Sequence, residues 1–293
     1  MLAIYGDESS DSKGNRVYAV AGLLGGEESW EGLREDWAAR TGDKVFHSAD
    51  CESGYGDFKD TPPEERDRLH KDLAVVLAGS GLIGWGIAVD LAGARKAFPD
   101  MLPEHVPNSC FLRAVDFHMR KALADYPPQP IRIVFDQNRK TEHNSRLLFE
   151  YLADEAGKVR SQLPNTPEFV SRQDIGVQAA DLWVRELMKF FDGTLFSHTY
   201  RPREQWRSLV NSRRFGGDLQ FGDYFESMKD QMAALEAKTG MSHATYAKWL
   251  VEKRRIDNQS NRIAYMMEVA AKDRASGRGT AGGDNSTSHT VDH

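Results

Sequence analysis

Leu2-Ala3-Ile4-Tyr5-Gly6-Asp7-Glu8-Ser9 opens the chain, and its reading decides the fold. Leu2–Tyr5 is a short, apolar, β-prone run, and Gly6 ends it. Two carboxylates then follow what the pattern makes a central strand. Open α/β sheets place their chemistry at such strand ends. Two later acids repeat the theme. Asp136 ends the run Ile131-Arg132-Ile133-Val134-Phe135, and Asp181 lies in Gln178-Ala179-Ala180-Asp181. Acids gathered at strand ends without evident cationic partners suit a hard divalent cation, which takes oxygen ligands.

Working outward, a Ser/Asp/Gly turn over 9–15 leads to a second strand at 17–24, an antiparallel hairpin by its turn chemistry. Trp30, Leu33 and Trp37 recur at helical spacing and predict a helix over 27–40. Residues 44–60 read as irregular. Thr61-Pro62-Pro63-Glu64 is a helix start with Thr61 as N-cap, and that helix runs to about 78. A strand follows at 82–89 and a short helix at 90–98. A helix at 108–125 ends at Pro127-Pro128-Gln129-Pro130, before the strand at 131–135. A helix over 142–159, a short strand at 168–171 and a helix over 176–191 complete this part. A hairpin followed by βαβ crossovers predicts a mixed sheet with helices on its faces.

The pattern divides the chain into a domain over 1–198, a helical basic extension over 199–275 and a tail over 276–293. In the extension, helices are expected at 224–238 and 244–274. The tail is rich in Gly, Ser and Thr, which predicts disorder. The net charge of −6 is split unevenly, with −9 over 1–198 and +4 over 199–262. An acidic chain is a poor general nucleic-acid glue, yet an enzyme with a local basic groove tolerates it. Cys51 and Cys110 stand apart from any Cys/His cluster, which argues against structural zinc and fits a reducing, cytoplasmic setting. No signal peptide is read at the start. The uncharged stretch 73–89 is broken by Gly79-Ser80-Gly81 and reads as helix end, turn and buried strand, so no membrane contact is expected.

Gln178 and Asp181 lie three apart and share one helix face. Ala179 and Ala180 beside them allow close packing on the sheet, leaning Asp181 toward Asp7 and Asp136. Such a carboxylate set suits one or two divalent ions in phosphodiester cleavage. Asp7-Glu8-Ser9, the strand 17–23, Phe46-His47-Ser48-Ala49-Asp50, Phe135-Asp136 and Gln178-Ala179-Ala180-Asp181 together resemble the domain-of-unknown-function 3800 family (DUF3800), over residues 1–192. That family is similar to a branch of the ribonuclease H-like superfamily. The resemblance implies a ribonuclease H-like mixed β-sheet flanked by helices, here with a C-terminal helical extension. It also implies a nuclease dependent on Mg²⁺ or Mn²⁺, with Asp7, Asp136 and Asp181 as metal ligands. A further acid expected on an intervening helix has no evident counterpart, and Glu8 or Asp50 is the substitute.

Local alternatives stand beside these roles. Asp7 and Asp136 are also good turn formers. Glu8 alternates with Asp7 and shares its ion only if the strand has ended. Asp181 has Arg185 four residues on as a surface partner. Gln178 contacts substrate or caps a backbone group, and His47 contacts substrate, moves protons or is structural. Arg213 and Arg214, with Arg201, Arg203 and Arg207 around Trp206 and Phe215, suit phosphate contact and base stacking, or form a solvated face. Lys253-Arg254-Arg255 after Trp249 extend the basic set. The expected partner is DNA or RNA. The extension equally suits a homodimer, and an activating protein partner is a further expectation. The rival function is a catalytically degenerate nucleic-acid-binding or effector-interaction module. No Gly-x-x-x-x-Gly-Lys-Ser/Thr loop supports a nucleotide phosphohydrolase.

Overall fold

The computed structural model describes residues 1–99, 105–137, 149, 162–164 and 166–240. The helices expected at 142–159 and 244–274, the basic run 253–255 and the tail lie outside the described residues.

β1 (Leu2–Ser10) and β2 (Val17–Gly26) form the antiparallel hairpin. α1 (Glu27–Thr41), the short α2 (Ser48–Ser53) and α3 (Pro63–Gly79) lead to β3 (Ile83–Asp90). α4 (Leu91–Ala97) and α5 (His105–Asp125) precede β4 (Ile131–Asp136) and β5 (Glu168–Val170). α6 (Ile175–Phe196), α7 (Glu204–Asn211), β6 (Phe215–Gln220) and α8 (Gly222–Thr239) follow. Among the described residues the strands make one sheet in the order β5-β4-β1-β2-β3-β6. β2 is antiparallel to β1 and β3, and the remaining pairs are parallel. This is the mixed sheet flanked by helices that the sequence pattern predicts.

Period-two alternation splits β1 between two cores. Ala3 and Tyr5 face the core built with α1, α3 and α6, which contains Trp30, Trp37 and Trp183. Leu2 and Ile4 face the core built on α5, with Phe111, Val115 and Phe135. Both faces of the sheet are therefore dry, which explains unbroken apolar runs such as Leu2–Tyr5 and Ile131–Phe135. No helix among the described residues is long and apolar enough to cross a membrane.

The N-cap of α3 is Pro62 rather than Thr61, and the structure departs from the sequence expectation at three further places. First, β1 does not end at Asp7, where the sequence pattern stops the strand. It continues to Ser10, because residues 7–10 pair with 21–18 of β2. Gly6 is required for another reason: a Cβ there would meet the Phe135 ring of β4. Second, α2 occupies part of the segment read as irregular. It is closed by Gly54 at φ 72°, a left-handed geometry suited to glycine. Third, the segment after 198 is not helical alone. β6 extends the sheet beside β3, from Gly84↔Phe215 to Val89↔Gln220. α7 covers that junction, with Trp206 stacked between Trp183 and Phe190. Two compact units divide the chain at Met228, the first holding the whole sheet.

Candidate active site

The parallel ladder between β1 and β4 ends at Gly6↔Phe135. Beyond it β1 runs on with β2 while β4 stops at Asp136. This step in the sheet forms one side of a cavity of about 170 Å³. Asp7, Glu8, Asp136 and Asp181 line it, with His47 and the guanidinium of Arg172. Asp7 and Glu8 point to opposite faces of a continuing strand, as alternation requires. Both still reach the cavity because it opens on the edge of β1 rather than on one face. Tyr18, Phe111, Phe135 and Phe169 supply its apolar wall.

Each acid is held by a local hydrogen bond. Glu8 N–H donates to Asp7 Oδ1 at 2.7 Å, and Gln137 N–H donates to Asp136 Oδ1 at 2.9 Å. Ser48 N–H, at the start of α2, donates to Asp181 Oδ2 at 2.6 Å. Tyr18 Oη donates to Glu8 Oε2 at 2.6 Å and fixes that side chain across the hairpin.

The electrostatics are frustrated. Burial, and after it the negative charge of Asp181, push the Asp7 carboxyl well above its ordinary range, and Asp136 and Glu8 add to this. Burial also raises Asp136. Arg172, with Nε 3.8 Å from Asp136 Oδ2, and the Gln137 N–H oppose that rise, while Asp181 reinforces it. Arg172 is itself more than half exposed, so it screens the group incompletely.

His47 N-caps α2 by position, and its ring spans two carboxylates. Nδ1 lies 3.0 Å from Asp50 Oδ2 and Nε2 lies 3.7 Å from Asp181 Oδ1. Asp50 therefore serves His47 and does not line the cavity.

The structure resolves the two readings of Gln178 in favour of backbone capping. Its Oε1 accepts from Trp37 Nε1 at 3.0 Å and Phe46 N at 3.2 Å, and its Nε2 donates to Arg172 O at 2.9 Å. A buried amide so fully used has no free group for substrate. It ties α6 to the segment carrying His47 and to the loop carrying Arg172. Arg213 and Arg214 lie away from this cavity. They precede β6, three strands across from β1, at the end of the sheet where the parallel strands begin. Three steps of about 4.8 Å separate β6 from β1, and Arg214 Nη1 donates to Gly81 O at 3.0 Å. Trp206 and Phe215 are buried, so neither stacks on a base.

Sequence reasoning missed a second polar cluster. Glu52 of α2, His70 of α3 and Glu186 of α6 bring ligand atoms within 4.8 Å of one another, by distance alone enough to hold a metal ion. Glu52 and His70 border a cavity of about 350 Å³ lined also by Cys51, Arg66 and Lys189. Three cations already fill the electrostatic role. Arg185 Nη2 and Arg203 Nη1 each lie 2.6 Å from Glu52, and Lys189 Nζ lies at 3.3 Å. Arg203 also reaches Glu186 Oε1 at 3.2 Å, and His70 Nε2 reaches it at 3.3 Å. Burial alone would raise the Glu52 carboxyl, yet Arg185, then Arg203 and Lys189, bring it down to about 2. A divalent ion here would add to a surplus of positive charge. The i,i+4 spacing of Asp181 and Arg185 was the available signal, although Arg185 pairs with Glu52 instead.

No family model matches the chain, and no curated protein matches it. Among solved structures, the chain is similar to a ribonuclease HIII (Bst) in complex with Mn²⁺, with 17% identity over 67% of this chain and 55% of that one, and a TM-score of 0.38. A ribonuclease HII from Archaeoglobus fulgidus, in complex with PCNA, gives 11% identity over 74% of this chain and 92% of that one, at TM-score 0.40. A variant of the Bst ribonuclease HIII gives 17% identity over 66% and 55%, at 0.38. The chain thus spans about half the length of the ribonuclease HIII it matches.

Proposed function

We propose that this chain is a divalent-metal-dependent nuclease of the DUF3800 family, hydrolysing phosphodiester bonds of DNA or RNA at the acid-lined cavity. One observation carries the reading. Asp7, Glu8, Asp136 and Asp181 converge from β1, β4 and α6 on one cavity, where burial and the neighbouring acids push the Asp7 carboxyl up and burial raises Asp136. Structural carboxylates are normally matched by cations, as Glu52 is. These four face one another with Arg172 at the rim.

The donor set fits Mg²⁺ or Mn²⁺, since it is all oxygen and anionic. Asp7, Asp136 and Asp181 would hold the ion, with Glu8 beside them. A bound ion of this kind lowers the pKa of a coordinated water and stabilises the departing oxygen. The chain's own residues do the rest. Ser48 N–H fixes the Asp181 carboxylate, and Tyr18 fixes Glu8. Arg172 is placed to neutralise a substrate phosphate at the rim, and the aromatic wall limits water.

The test is cleavage of labelled single- and double-stranded DNA and RNA with Mn²⁺, with and without EDTA, beside Asp136→Asn. EDTA-sensitive cleavage by the wild type, lost in a folded Asp136→Asn protein, is expected. Retained cleavage by that variant sinks the assignment. One observation favours the rival non-catalytic reading. Where the cavity meets α5, Asn108 and Phe111 line it and no carboxylate from that helix does, among the described residues. Binding of nucleic acid without cleavage, and without Mn²⁺ affinity, would establish that module.

A further inference from the structure

α2 is six residues long, too short to be stable on its own. Its position is set by partners, and those on α6 repeat with the period of a helix. Ser48 and Glu52 are four residues apart on α2, and Asp181 and Arg185 are four apart on α6. At one end Ser48 N–H donates to Asp181. One turn along, Arg185 donates to Glu52 through Nη2 at 2.6 Å and Nε at 3.2 Å. The two helices are joined at two levels, and only the first is part of the acid cavity.

The second level is anchored on other sides too. Arg66 of α3 donates from Nη1 to the carbonyls of Cys51 and Glu52, at 2.9 and 3.0 Å. Arg203, the residue before α7, donates to Glu52 Oε1 at 2.6 Å. The Glu52 side chain is therefore a node joining α2, α6 and the segment entering α7.

We infer that Glu52 is a positioning residue for the acid cavity: through Arg185 it holds α2 at the height on α6 where Ser48 N–H and the His47 ring meet Asp181. This rests on the reading of the cavity as a metal site. Removing the Glu52 charge leaves Arg185, Arg203 and Lys189 facing one another with Glu186 as the remaining carboxylate of the node. α2 then loses its lower attachment to α6, keeping only the Arg66 contacts to its carbonyls at that end, and the Asp181 carboxylate loses a fixed donor.

Wild type, Glu52→Gln and Glu52→Asp are compared by amide hydrogen exchange without metal and by Mn²⁺ titration. In Glu52→Gln the amides of Ser48–Ser53 should exchange at least about tenfold faster, with those of α5 unchanged. The Mn²⁺ dissociation constant should rise about tenfold, as is typical when a group orienting a metal ligand is lost. Glu52→Asp keeps the charge and should recover part of both effects. A purely structural role would lower the melting temperature and leave Mn²⁺ affinity of the folded protein unchanged. Unaltered exchange in α2, or faster exchange with unaltered Mn²⁺ affinity, overturns the inference. If Glu52→Gln fails to fold, Arg185→Lys gives the same comparison, retaining charge but losing the forked contact. Wild-type protein that does not bind Mn²⁺, or binds it equally after Asp136→Asn, overturns the cavity reading and the Mn²⁺ part with it. The metal-free exchange then still reports whether Glu52 holds α2.

Discussion

Asp7 sits where its own charge is least welcome. Burial and the neighbouring Asp181, Asp136 and Glu8 raise its carboxyl well above the ordinary value of 3.8. A carboxyl raised in the folded state favours folding while protonated, below the unfolded pKa. That contribution is lost as pH rises through the folded value. Metal-free protein should therefore lose stability as pH climbs from about 4 toward the raised value. Asp7→Asn removes this penalty. Thermal melts in EDTA should show the variant melting higher than wild type at pH 7, by roughly 2–4 °C per kcal/mol relieved in a domain of this size. The gain should vanish at pH 3, where Asp7 is already protonated. Mn²⁺ should raise the melting temperature of wild type and not of Asp7→Asn. An equal metal response would remove Asp7 from the ligand set. Asp7 and Asp136 stood out in the sequence as acids directly after apolar runs, and Asp181 as the acid sharing a helix face with Gln178, and all three line one cavity. The partners of Gln178 were not legible, since Trp37 and Phe46 lie more than a hundred positions away.

The ladder between β1 and β4 depends on close approach at Gly6, where the Phe135 ring fills the space a side chain would need. Gly6→Ala should cost about 1–3 kcal/mol, the usual penalty for overpacking, read as a lower urea midpoint. It should also reduce Mn²⁺ affinity, because Phe135 immediately precedes Asp136. An unchanged midpoint would mean the ring swings aside freely. Most elements were legible from periodicity, including the hairpin and α6. β6 was not, because Phe215-Gly216-Gly217-Asp218-Leu219-Gln220 has little β-branched character. Gly217 is needed there because its position abuts the Gly86 carbonyl of β3. α2 was also hidden, since its stability comes from Asp181, Arg185 and Arg66 rather than from its own residues.

At the scale of the molecule, residues 199–228 are built into the first compact unit. Trp206 lies between Trp183 and Phe190, at 5.5 and 4.3 Å between ring centroids. A chain ended after His198 would expose Trp183 and leave β3 as a bare edge, an invitation to aggregation. Such a truncation should be insoluble or lack a cooperative melt. A soluble product with native near-ultraviolet dichroism would show that α7 and β6 are dispensable. Charge counts over 199–262 suggested an appended basic surface. Arg203 is instead drawn inward by Glu52 and Glu186, which no count along the chain can show.

The hairpin loop beyond β1 has a bearing on how the protein tolerates change. Asp11 gathers the backbone N–H groups of Lys13, Asn15, Arg16 and Val17 at 2.7 to 3.2 Å, tying the loop into one shape of fixed length. A strand has two sides, so one extra residue fed through that loop would turn Asp7 toward α5 and bring Gly6 or Glu8 into its place. Gene-level insertions at this exposed bend look harmless by position, yet they act as substitutions of the chemistry several residues away. The loop behaves as a spacer whose length decides which side chains of β1 meet the cavity.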